Sequence, residues 1–185
     1  AARERQSRES RGTRGARGTV DYRVADARRL GDVSEAGSFD LTTCALALAN
    51  LAPLAPVFAG IAAALAPNGR FAAVLMHPCF RIPRASSWGW DEEHVSQYRR
   101  IDRYLSSNRV DIRIHPGADP SQTVPAYHRP LEAYVNALAA AGLVVDRLEE
   151  WPSHKTSPAG PRKRALDESR DEIPMFLALR ARRAV

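Results

Sequence analysis

The sequence predicts an α/β fold built on a mostly parallel sheet, and three observations carry that expectation. Two apolar runs of strand length, 39–46 and 70–77, lack the in–out alternation of a strand with one wet face. Between them lies a segment whose apolar residues recur at helical spacing. The order strand, helix, strand is that of a crossover unit joining parallel neighbours.

Each element has its own signal. Val20, Tyr22 and Val24 alternate with polar or small residues, which predicts a strand over 19–25 that ends at Asp26. Phe39, Leu41 and the run from Cys44 predict a buried strand over 39–46. Leu54, Val57, Phe58, Ile61 and Leu65 form one helical face, with Pro56 in the first turn and Pro67-Asn68-Gly69 as the stop, so a helix is expected over 55–66. FAAVLM, within 70–77, is apolar on both faces. Downstream, Asp91-Glu92-Glu93 reads as an acidic helix start, followed by the stripe Val95, Tyr98, Ile101 and Leu105. Val110, Ile112 and Ile114 alternate as a short strand, and Gly117 to Pro125 reads as a loop. His128-Arg129-Pro130 opens a helix over 130–141 that carries Leu131, Tyr134, Val135 and Leu138. Strands over 143–148 and 173–179 follow, separated by a Pro- and Lys/Arg-containing loop with a helical turn near 164–170.

The chain has 185 residues, enough for one domain with a real core. Its net charge is +6, but +4 of this belongs to residues 1–18, which hold six arginines and two glutamates. Those residues are expected to form a flexible basic arm, and the body of the chain is not expected to bind nucleic acid. RGTRGARG within the arm has glycines at every third position, but a strand follows it where a phosphate loop needs a helix. Two cysteines exclude a disulfide scaffold and are expected to stay reduced. The apolar stretch 41–66 is interrupted by Thr42, Thr43, Asn50, Pro53 and Pro56, so no membrane span is expected. No basic-then-apolar leader opens the sequence, which points to a cytoplasmic location.

In open α/β sheets ligands bind beyond the carboxyl ends of the strands. The expected strand ends bring Asp26-Ala27, Cys44-Ala45 and His77 to one rim. Each has a structural reading beside the functional one: Asp26 as a turn cap, Cys44 as core packing, His77 as a hydrogen-bonded loop residue. His77 and His128 are the candidate bases, because only histidine titrates near neutrality unperturbed. Trp88, Trp90, Tyr127 and Arg129 are candidate substrate contacts, and the tryptophans also read as pins that hold 80–130 to the core. His77, Cys79, His115 and His128 match no zinc spacing, and G-x-S-x-G is absent, so neither a metal centre nor a hydrolase elbow is expected.

Taken together, Y-x-x-x-D-A-x-x-L (Tyr22 to Leu30), F-D-L (Phe39 to Leu41), L-A-P-N-G-R-F (Leu65 to Phe71) and H-P-C-F (His77 to Phe80) resemble the second half of a class I S-adenosylmethionine-dependent methyltransferase. Y-H-R-P-L (Tyr127 to Leu131) and E-I-P-M-F-L (Glu172 to Leu177) resemble a bacterial small-molecule branch of that superfamily. The resemblance implies a Rossmann-like, mostly parallel sheet with an antiparallel final strand. It implies S-adenosyl-L-methionine as cofactor and a small-molecule methyl acceptor. By the same resemblance, Asp26 accepts from the adenine amino group and the Ala27 N–H reaches the adenine ring. The backbone at Cys44 and Ala45 faces the methionine end, and 80–130 covers the acceptor. The family's glycine-rich loop and ribose-binding acidic residue have no match, which implies a fold truncated at the N-terminus by on the order of 60 residues. The truncated chain is expected to bind the cofactor weakly or not at all. Its bare 39–46 strand is expected to accept the 19–25 strand or to pair with a second copy as a homodimer. The reading from another class is a non-catalytic binding module or pseudoenzyme that contacts nucleic acid through the arm.

Overall fold

The computed structural model describes residues 19–113 and 122–184. The expectations for the arm at 1–18, for Ile114 and His115, and for the first part of the 117–125 loop lie outside the described residues. The elements run β1 (Phe39–Ala45), α1 (Leu54–Ala64), β2 (Leu65–Met76), β3 (Ser86–Asp91), β4 (Ser96–Ile101), β5 (Asn108–Arg113), β6 (Thr123–His128), α2 (Leu131–Ala140), β7 (Leu143–Trp151), α3 (Lys163–Glu172) and β8 (Phe176–Arg183). Short 3₁₀ segments occupy Ala27–Asp32 and Leu48–Asn50.

The main sheet has four strands in the order β1-β2-β8-β7. β1 and β2 are parallel, from Leu41 opposite Arg70 to Ala45 opposite Val74. β8 runs antiparallel to both β2 and β7. This is the α/β arrangement with an antiparallel final strand that the sequence predicts. β1 ends where Leu46 takes a left-handed φ of 55°. Gly69 is required inside β2, where the register against β1 shifts between Phe39 and Leu41: a Cβ there would stand 2.9 Å from the carbonyl oxygens of both Ala66 and Phe39.

The core lies between one face of this sheet and the two helices α1 and α2. α1 buries Leu54, Val57, Phe58, Ile61 and Ala64, the face expected from its spacing. α2 buries Tyr134 and Leu138. They meet Phe71, Ala73 and Leu75 of β2 and Leu177, Leu179 and Ala181 of β8. Phe58 and Phe71 pack edge to face with centroids 6.0 Å apart. Each fully buried side chain of this kind stabilises the fold by about 1.5–3 kcal/mol.

Four expectations are corrected. Residues 19–25 are not a strand: they join no ladder, and Val24 is fully exposed. Alternation of side chains is a one-strand signal, whereas a strand exists only as a rung-by-rung ladder with a neighbour. Nor do they close onto β1, whose outer edge has no strand partner among the described residues.

The segment expected as a helix from Asp91 is instead the β3–β4 hairpin. The Asp91 carboxylate accepts from the N–H groups of Glu93 and His94, which makes a side-chain-closed turn rather than a helix start. Tyr98 lies across Gly89 in the opposite strand and covers the gap left by the missing side chain. The supposed helical stripe is solvent-facing, with Val95, Tyr98, Ile101 and Leu105 all exposed.

Residues 123–125 belong to β6 rather than to a loop, paired with β5. The final strand lies at Phe176–Arg183, later than expected, because α3 extends to Glu172. α3 pins the hairpin: Ser169 Oγ donates to Gln97 Oε1 at 2.8 Å.

Candidate functional site

The carboxyl ends of β1 and β2 and the start of the Ala27–Asp32 segment share one rim. The Leu46 N–H donates to the Val74 carbonyl at 2.7 Å and locks the two strand ends together. The loop beyond is held from the far side of the chain. Asn50 Nδ2 donates to the Pro125 carbonyl at 2.9 Å, and Arg129 Nη2 donates to the Leu51 carbonyl at 2.7 Å. A cavity of about 320 Å³ runs along β1 between the Ala27–Asp32 segment and α1, lined by Ala27, Leu30, Phe39, Thr42, Cys44 and Ile61, among others. Thr42 Oγ1 is buried there with no hydrogen-bond partner.

Asp26 caps the Ala27–Asp32 segment by accepting from the Arg28 N–H at 2.9 Å. The Arg28 guanidinium also grips the carboxylate, with Nη2 2.6 Å from Oδ2. These Arg28 bonds hold the Asp26 pKa down at about 2. The cap reading is therefore correct as geometry, and most of the carboxylate's acceptor capacity is in use. Ala27 opens the 3₁₀ turn, so its N–H has no acceptor within it. Burial pushes the Cys44 thiol up, against the partial opposition of the Ala47 and Leu48 N–H groups, so it stays protonated at neutrality. Cys44 and Cys79 are both free.

His77 follows β2 and is 2% exposed. The Cys79 N–H donates to its Nδ1 at 3.2 Å, so the ring proton lies on Nε2, 2.7 Å from Glu150 Oε1 on β7. His128 ends β6, and its Nε2 donates to the Tyr104 carbonyl at 2.7 Å. The Tyr104 hydroxyl accepts from the Leu131 N–H at 3.0 Å, which ties the 102–107 connection to the start of α2.

The predicted substrate contacts do not form one aromatic box. Trp88 has Arg81 and Arg99 at its ring, and Trp90 has Arg162. Tyr127 instead carries Arg129, 5.1 Å from its centroid, and lies near Arg28. Residue reading missed Arg28, Arg81, Arg99, Glu150 and Tyr104. Arg28 had a local signal, two places after Asp26. The others are brought in by strand register and by chain-distant contacts that spacing does not carry.

A methyltransferase-domain family model matches residues 1–73. An S-adenosylmethionine-dependent methyltransferase from Mesorhizobium loti superposes with a TM-score of 0.67 at 29% identity, over 91% of this chain and 72% of its own. In its family-model match and in its fold the chain is similar to the class I S-adenosylmethionine-dependent methyltransferases. A Listeria monocytogenes protein described as a putative S-adenosylmethionine-dependent methyltransferase superposes on this chain with a TM-score of 0.69 at 21% identity, over 100% of this chain and 78% of its own. At that identity the likeness speaks for the fold alone. Among curated proteins nothing matches this chain. No helix of its described residues is long and apolar enough to cross a membrane.

Proposed function

We propose that this chain is a methyltransferase that binds S-adenosyl-L-methionine near the carboxyl end of β1 and transfers its methyl group to a small-molecule acceptor held under residues 80–130. One observation supports this above the rest: Asp26 caps the turn opened by Ala27, and Ala27 lines an apolar cavity that runs along β1 toward its carboxyl end at Cys44. The donor set fits the adenosine end of the cofactor. A carboxylate answers the adenine amino group, a free N–H answers a ring nitrogen, and the orphaned Thr42 hydroxyl offers a further contact. Asp26 would share its carboxylate with Arg28 or release it, because Arg28 now occupies it.

When bound, S-adenosyl-L-methionine supplies an electrophilic methyl group on a sulfonium. The chain's own part is placement: the locked strand ends fix one partner and the 80–130 hairpins hold the other, and such alignment is worth about 7–11 kcal/mol of barrier. A base is needed only for an acceptor that must lose a proton. Of the two histidines, His77 is the better placed. Glu150 at Nε2 leaves Nδ1 basic, and release of the Cys79 N–H opens it to an acceptor proton. His128 is committed to the Tyr104 carbonyl, and we assign it to holding the cover in place.

Calorimetry with S-adenosylhomocysteine tests the reading. Asp26→Ala is expected to weaken binding by about 1–3 kcal/mol, the loss of a charged hydrogen bond. Unchanged affinity would leave Asp26 as a cap and move the adenine elsewhere.

A further inference from the structure

Trp88 and Trp90 lie two residues apart on β3, and each ring carries arginine, but the charge around the two differs. Arg162 stands 4.3 Å from the Trp90 centroid and is paired with Glu92 at 2.6 Å. Arg81 and Arg99 stand 5.0 and 5.2 Å from the Trp88 centroid. Among the described residues neither has a carboxylate partner.

Strand register fixes one of the pair. Arg99 is directly opposite Trp88 in the β3–β4 ladder. Its Nε donates to the Phe80 carbonyl and its Nη2 to Ser86 Oγ, both at 2.7 Å. Arg81 is less satisfied: Nη2 makes a long bond of 3.5 Å to the Ile173 carbonyl, and Nε is buried with no partner. Desolvation lowers the pKa of both guanidiniums, and the charge of Arg99 adds to the effect on Arg81. Two like charges with open donors are costly to keep partly dry unless an anion joins them. A planar oxyanion suits the site, because guanidinium forks match it and the indole offers it a flat wall.

The cluster adjoins the rim. Phe80, whose carbonyl Arg99 holds, rests its ring 4.8 Å from that of His77. We propose that Arg81, Arg99 and Trp88 form a carboxylate-binding subsite, so that the methyl acceptor is a small molecule bearing a carboxylate. The assignment to the acceptor rests on the methyl-transfer reading above; the anion site itself does not.

Benzoate is the probe, titrated into the full chain while the indole and arginine Nε–H resonances are followed, with benzamide and inorganic phosphate as parallel arms. Benzoate is expected to move the Trp88 and Arg81 signals saturably, and benzamide is not. Arg81→Gln or Arg99→Gln is expected to weaken benzoate about tenfold or more. Arg99→Lys, which keeps the charge but not the fork, is expected to recover only part of that loss, and Arg162→Gln at the Trp90 ring none of it is expected to incur. Equal shifts from benzoate and benzamide, or undiminished benzoate binding in both Gln variants of the pair, would overturn the proposal. Phosphate binding as tight as benzoate would mean an adventitious ion only and would overturn the carboxylate assignment. S-adenosylhomocysteine calorimetry on the same samples separates the two ideas. Benzoate binding without cofactor binding keeps the anion site and removes its role in methyl transfer; cofactor binding without benzoate binding removes the subsite alone.

Discussion

The two faces of the main sheet are built from alternate residues of the same strands, and they have opposite fates. On one face Phe71, Ala73 and Leu75 of β2 meet Leu177, Leu179 and Ala181 of β8 under α1 and α2, and all six are buried. On the other face Ala72, Val74, Ala178 and Arg180 are only half-buried, with no helix over them among the described residues. A shallow cavity of about 260 Å³ lies there, lined by Thr43, Ala45, Val74, Trp151 and Arg180, among others. The packed face uses large side chains that interdigitate with helices. The centre of the open face holds the smaller Ala72, Val74 and Ala178, and Arg180 beside them is held across the strands by Asp146 at 2.8 Å. A sequence that looks apolar on both faces therefore need not bury both: size and charge, read at alternate positions, separate them.

The strongest test of this contrast is Phe71→Ala. It removes a fully buried ring and is expected to cost about 3–5 kcal/mol in urea unfolding. Val74→Ala, three residues along on the open face, is expected to cost about 1 kcal/mol or less. Equal losses would mean that both faces are covered in solution. The smallest effect concerns the Asp146–Arg180 pair. Hydrogen bonding to Arg180 lowers the Asp146 pKa, so the pair stabilises the fold above the ordinary carboxylate range. That contribution is lost as pH falls through the lowered folded value. Because the pair is partly exposed, it is worth about 1 kcal/mol or less. Arg180→Ala should flatten the acid limb of a stability–pH profile and leave the Phe71 effect unchanged. An acid limb identical to that of the parent chain would show that the pair carries no linkage.

Legibility followed the range of the interactions. α1 was readable because Leu54, Val57, Phe58 and Ile61 declare one face within a few turns. The β3–β4 hairpin was misread because Val95, Tyr98, Ile101 and Leu105 keep helical spacing by coincidence, while the pairing of Gly89 with Tyr98 is invisible along the chain. Cys44 was legible as a strand-end residue, whereas Asp26 and Ala27 were picked out on a strand that does not form and instead cap and open a 3₁₀ turn. The Arg28 grip on Asp26 and the Glu150 partner of His77 were not, since each depends on side-chain reach across a turn or between strands.

By itself the sequence determined the α/β class, the buried faces of α1 and α2, the antiparallel finish and the likeness to methyltransferases. Those follow from local periodicity and from motifs that keep their order. Only the tertiary structure decided that 19–25 is no strand, that both histidines are held by partners, and that two arginines share Trp88. A helix closes its hydrogen bonds four residues away, so its own sequence suffices. A strand, a buried imidazole and a guanidinium stack are each completed by a partner distant in the chain, and only the folded register brings that partner into place.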